Sequence, residues 1–183
     1  MSTSIDINQD LSFANRRLFA QTAASTPVVN TTTETTIVNG GIGVLSVPPN
    51  GFQVGDSFHA VLSGYISANN NNTLRLKVKS GSAILGDSGT ITLPGITNKF
   101  FDVQLTFTIR QIGSSGTAVI ATSGQFTYSK NASNAFEGVD FLFINNTTFD
   151  TTVSNTLDIT AQWGTASTGN SISTEIFVLN KIY

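Results

Sequence analysis

From Phe101 to Arg110 the chain alternates strictly: Phe101, Val103, Leu105, Phe107 and Ile109 are apolar, while Asp102, Gln104, Thr106, Thr108 and Arg110 between them are polar. A period of two sends one set of side chains to a core and the other to solvent, which is the mark of a half-buried strand. Comparable runs, bounded by Gly, Pro, Asn or Ser, begin near Thr35 and continue to the C-terminus. They predict strands near 35–38, 43–47, 57–67, 73–80, 82–86, 90–93, 101–111, 117–128, 138–145, 155–163 and 172–181. No helical period and no βαβ spacing interrupts them. The expected fold is therefore all-β, an antiparallel sandwich of about 8–10 strands, with a single jelly roll the version that suits this length.

Composition agrees with this reading and removes several chemistries. The chain holds 26 Thr, 20 Ser and 17 Asn among 183 residues, so its polarity comes from hydroxyls and amides. Charged residues make up 11%, less than half of the roughly 25% usual in globular proteins. A surface with so few charges is suited to burial in an assembly. With no Cys, disulfides, thiol nucleophiles and Cys-based zinc sites are ruled out. No apolar run approaches the roughly 20 residues of a membrane helix, and the first ten residues lack the basic and apolar segments of a secretory signal. Folding in a host cytoplasm, without membrane insertion, is the expectation.

Residues 1–34 are expected to form an extended N-terminal arm or linker ahead of a sandwich at 35–183. The spacing of Leu11, Ala14, Leu18 and Phe19 after Asp10 admits a short helix over 10–20. Phe13, Leu18 and Phe19 are large apolar groups in a segment too short for its own core, and Arg16 and Arg17 are the only adjacent basic pair. These five residues are expected to dock the arm on a neighbouring subunit, the alternative being the base of the chain's own sandwich. Two strands are apolar on both faces. Val139–Ile144 and Ile176–Leu179 need cover on both sides, so Leu142, Ile144, Phe177 and Leu179 are the candidate subunit-interface residues, with a loop or the arm as the other source of cover.

Little points to catalysis. His59, the single histidine, lies opposite the apolar register of its strand, with Ser63 and Tyr65. Gly86-Asp87-Ser88-Gly89 matches a serine-protease tetrapeptide, but between two short strands it reads better as a hairpin turn. Glu137 and Asp140 are the nearest pair for two-carboxylate glycoside chemistry, and Asp140, Asp150 and Asp158 the candidate calcium ligands, without a supporting loop motif. No phosphate-binding glycine motif is present. The expectation is a non-enzyme with no cofactor and no metal. Arg75, Lys77 and Lys79 share one strand face about 7 Å apart, as a contact for a polyanion or acidic partner, or as lysines that blunt a sheet edge. A net charge of −2 without a wider basic patch argues against nucleic acid. The five glycosylation sequons, at Asn30, Asn71, Asn131, Asn145 and Asn146, are near the number that composition alone produces.

Three stretches carry a resemblance: Val47-Pro48-Pro49-Asn50-Gly51-Phe52-Gln53-Val54-Gly55-Asp56-Ser57-Phe58, then Asn72-Thr73-Leu74-Arg75-Leu76-Lys77, and Asn155-Thr156-Leu157-Asp158-Ile159-Thr160-Ala161-Gln162-Trp163. Over about 43–181 the chain resembles the jelly-roll structural proteins of double-stranded DNA virus and phage particles. That class supplies vertex (penton) proteins, minor capsid and decoration proteins, and fibre heads. The resemblance implies a virion location, a homo-oligomer (trimer or pentamer), contacts with other capsid or fibre proteins and no chemistry. Its fibre-head members imply the alternative, a module binding a host-surface glycan or receptor. No fixed set of functional residues carries over.

Overall fold

A computed structural model describes residues 16–131 and 135–183. Among these residues there is no helix, so none is long and apolar enough to cross a membrane. The strands are β1 Arg16–Gln21, β2 Val28–Val29, β3 Thr35–Thr36, β4 Gly41–Gly43, β5 Ser46–Val47, β6 Ser57–Ala68 and β7 Asn72–Ser80. They continue as β8 Ala83–Asp87, β9 Ile91–Leu93, β10 Ile96–Ile112, β11 Thr117–Ser129, β12 Phe136–Asp150, β13 Asn155–Trp163 and β14 Ser171–Lys181.

Two antiparallel sheets face each other. The first runs β12-β11-β10-β6-β14-β1-β4, with β2 also on β14; the second runs β3-β13-β7-β8, with β5 on β13 and β9 on β7. The inner part of this order, β1-β14-β6-β10 against β3-β13-β7-β8, is the two-Greek-key arrangement of a jelly roll. The hairpin β11–β12 then widens the first sheet beyond β10. The alternation that predicts the strands also fills the core. Phe58, Ala60, Leu62 and Ile66 of β6 and Phe101, Val103, Leu105, Phe107 and Ile109 of β10 point inward. Phe58 stacks on Phe107 at 5.1 Å between ring centroids, and Phe52 meets Phe149 edge-on at 5.4 Å. The indole Nε1 of Trp163 donates to the Val28 carbonyl at 3.0 Å, tying the second sheet to the chain just after β1.

That chain is where the expectations fail first. Residues 16–21 form a strand of the sandwich where a helix over 10–20 and an arm to residue 34 were expected; the rest of that helix, with Phe13, lies outside the described residues. β1 pairs with β14, Arg16 opposite Lys181 and Ala20 opposite Val178. Phe19 is only 7% exposed, its ring 5.7 Å from that of Phe177. Leu18, at a bulge between Arg17 and Phe19, packs partly buried against the same core. The chain's own sandwich, and no neighbour, buries these two anchors. Ser25 and Val28 are buried as well, so the boundary at residue 34 is not a boundary of the fold.

Two interface candidates are also corrected. Phe177 and Leu179 are buried in the intramolecular core, at 0% and 4% exposure; the strand face they share is covered by the second sheet. The Asp87–Gly89 turn is no hairpin either. β8 and β9 both pair with β7, and Ser88 continues the ladder, its N–H donating to Leu76 O and its Oγ accepting from Leu76 N. The extra residue is absorbed as a bulge with Gly89 at φ 66°.

A candidate interaction face

The residues singled out by sequence fall on three different surfaces. Arg75, Lys77 and Lys79 project from β7, which lies inside the second sheet between β13 and β8, so the edge-blunting reading is wrong. The polyanion reading loses its charges too. Glu34 bridges Lys77 Nζ at 2.5 Å and Lys79 Nζ at 2.8 Å and accepts from Thr160 Oγ1 at 3.0 Å. Its hydrogen bonds to the two lysines hold the Glu34 carboxyl down at about 2. Arg75 grips Asp87 through Nε and a terminal nitrogen. Burial opposes the charge on Asp87, yet Arg75 and the Gly89 N–H keep that carboxyl below its usual range. Lys77 and Lys79 fasten the segment around Glu34 to the sheet, and Arg75 ties β7 to β8 through Asp87, so each of the three cations already has a carboxylate partner. Sequence reasoning missed Glu34, whose signal is a lone acid in a Thr-rich run when a strand bearing three cations needs counter-charge.

The carboxylates assemble no second chemistry. On β12 Glu137 lies opposite Tyr128 on the inner side and Asp140 opposite Gln125 on the outer side, so the two carboxylates leave the strand on opposite faces. Lys130 and the Tyr128 hydroxyl together hold the Glu137 carboxyl below its usual range, while burial and then Glu137 push the Tyr128 phenol up. Asp150 accepts from Thr152, and Asp158 from Thr36. Among the described residues no three His, Asp or Glu side chains gather where they could hold a metal ion. Asn145 is buried, donating to Ile84 O at 2.8 Å and accepting from the Thr147 and Thr148 amides, which removes that sequon from any modifying enzyme's reach. A cavity of about 80 Å³ between the sheets, lined by Leu45, Phe52, Phe107 and Leu157, is apolar and holds no titratable group.

The third surface is the outer face of the first sheet. Registers across it align Leu142, Ser123, Thr106, His59, Asn180 and Arg17 in one row over six strands. The next row holds Asp140, Gln125, Gln104, Val61, Val178 and Ala20. Leu142 is 73% exposed, and Ile144, Ile176, Tyr65 and Phe100 also stand out from the sheet. No described element covers this face. Leu142 and Ile144, named from sequence, belong to it; Arg17 joins them from β1, a residue whose place on the sheet only the strand pairing reveals.

A scan against protein-family models finds no match, and no curated protein matches in sequence. Among solved structures, the CBM2 module of the evolved Dit protein of Lactobacillus casei BL23 phage J-1 aligns at 13% identity, over 93% of this chain and 97% of that one, with a TM-score of 0.36. Arcelin-5, a lectin-like defense protein from Phaseolus vulgaris, aligns at 11% identity over 91% and 92% of the two chains, also with a TM-score of 0.36.

Proposed function

We propose that the chain is a non-enzymatic structural subunit of a virus particle, a jelly-roll block that works by associating through its surface with copies of itself and with other capsid or fibre proteins. The observation that carries the reading is the outer face of the first sheet. It is broad and hydroxyl-rich, with few charges, and Leu142, Ile144 and Ile176 stand exposed on it. Exposed apolar groups on one continuous sheet face are the mark of a protein contact. The sequence resemblance over 43–181 adds the particle as the setting. The test is incorporation: replacing Leu142 and Ile176 by Asp should leave a folded chain absent from purified particles, whereas normal incorporation of that variant refutes the contact role.

A second reading, a glycan-binding head, has one observation in its favour. Tyr65 and Phe100 are exposed cross-strand neighbours, and Phe136 stands exposed on β12 near the same end of the sheet. The amide-rich loops there are joined by bonds such as Asn69 Nδ2 to Ser167 Oγ at 2.7 Å and Asn131 Nδ2 to Gly95 O at 3.0 Å. Saturable binding on a glycan array, lost on changing Tyr65 and Phe100 to Ala, selects this reading.

A further inference from the structure

We infer that the occupant of the outer face is a second copy of this chain, packed sheet on sheet about a two-fold axis that runs along the strands between β10 and β6. The inference rests on the structural-subunit reading and specifies its partner and geometry. Size is the first argument. Six strands at about 4.8 Å spacing and some eleven residues of length make a face of roughly 1,000 Å², enough for the roughly 800 Å² that each partner contributes to a standard stable interface.

Charge fixes the arrangement. Arg17 at the β1 side and Asp140 at the β12 side are both exposed, and neither has an ionic partner among the described residues. An axis along the strands lays β12 of one copy over β1 of the other. Because Arg17 shares a row with Leu142, and Asp140 lies one row along, the partner's Leu142 then covers the Arg17 stem while the guanidinium reaches the partner's Asp140. The two-fold makes this pair twice. The two Asp102 carboxylates come to lie one strand spacing apart across the axis, each facing β6 of the other copy and already holding Ser63 Oγ at 2.7 Å and Gln104 Nε2 at 3.1 Å. An axis across the strands would instead lay β12 on β12 and bring the two Asp140 carboxylates towards each other, with no cation between them.

The experiment is the mass of the full chain in solution, by light scattering and sedimentation, with thermal melts to confirm that each variant folds. The wild type should weigh twice the 19.3 kDa of one chain. Arg17→Asp and Asp140→Arg should each weaken self-association by about tenfold or more, and the double reversal should restore it, as expected of a facing charge pair. A monomer at every concentration overturns the inference. So does a dimer indifferent to both single reversals, as one paired edge to edge through β12 would be, or a double reversal that fails to rescue. A monomeric chain that still enters particles overturns the dimer and leaves the structural-subunit reading standing; a dimer sensitive to these charges yet absent from particles does the reverse.

Discussion

Glu34 is a single carboxylate on which a whole segment depends. Its folded value near 2 lies below the ordinary 4.5, so the stabilisation is fully present above pH 4.5 and is lost as the pH falls from 4.5 towards 2. Glu34→Gln should cost about 1–2 kcal/mol at pH 7, allowing for the partial solvent access of the three partners. The gap between variant and wild type should close by pH 2, as denaturant titrations across that range will show; a gap independent of pH means that the charge is not what matters. Gly124 makes a steric point at the same scale. A Cβ there would lie 2.1 Å from the Phe141 ring, which packs over it from the neighbouring strand. Gly124→Ala should therefore displace that ring and lower stability by about 1–3 kcal/mol, read as a lower urea midpoint. An unchanged midpoint contradicts this packing.

At the scale of elements, the strands legible in sequence are those whose inner and outer faces differ chemically, such as β6, β10 and β13. β1 was hidden for a physical reason. The bulge at Leu18 breaks its period of two, and the remaining spacing of Leu11, Ala14 and Leu18 imitates a helix. β14 misled in another way: both its faces are apolar, and sequence alone does not say which of them the second sheet covers. Phe177 and Leu179 proved to be core, while Ile176 stands outside. Nor could pairing partners be read, so the central place of β7 and the neutralised lysines on it were not visible. Because β1 is a sheet strand, deleting residues 1–25 should lower the melting temperature by at least about 10 °C or prevent folding, since burial of Phe19 alone is worth about 3 kcal/mol. A deletion that melts like the full chain, followed by circular dichroism, would restore the detachable arm.

At the scale of the molecule, the jelly roll leaves its two outer faces in contrasting states. On the second sheet's face the Glu34 side chain, reaching in from the edge strand β3, pairs with Lys77 and Lys79, and Arg75 pairs with Asp87. The first sheet's face, widened by the β11–β12 hairpin, is covered by no other described element and carries exposed apolar groups beside Arg17 and Asp140, which have no ionic partner among the described residues. That asymmetry is what favours the first sheet's face as the surface of the proposed assembly. The most direct measurement of the proposed role is quantitative mass spectrometry of virus particles purified from the source that encodes the chain. The account predicts the chain there at a fixed number of copies relative to the major capsid protein, unchanged by washing and from one preparation to the next. Its absence from particles, with the protein remaining in the infected-cell lysate, would contradict the account.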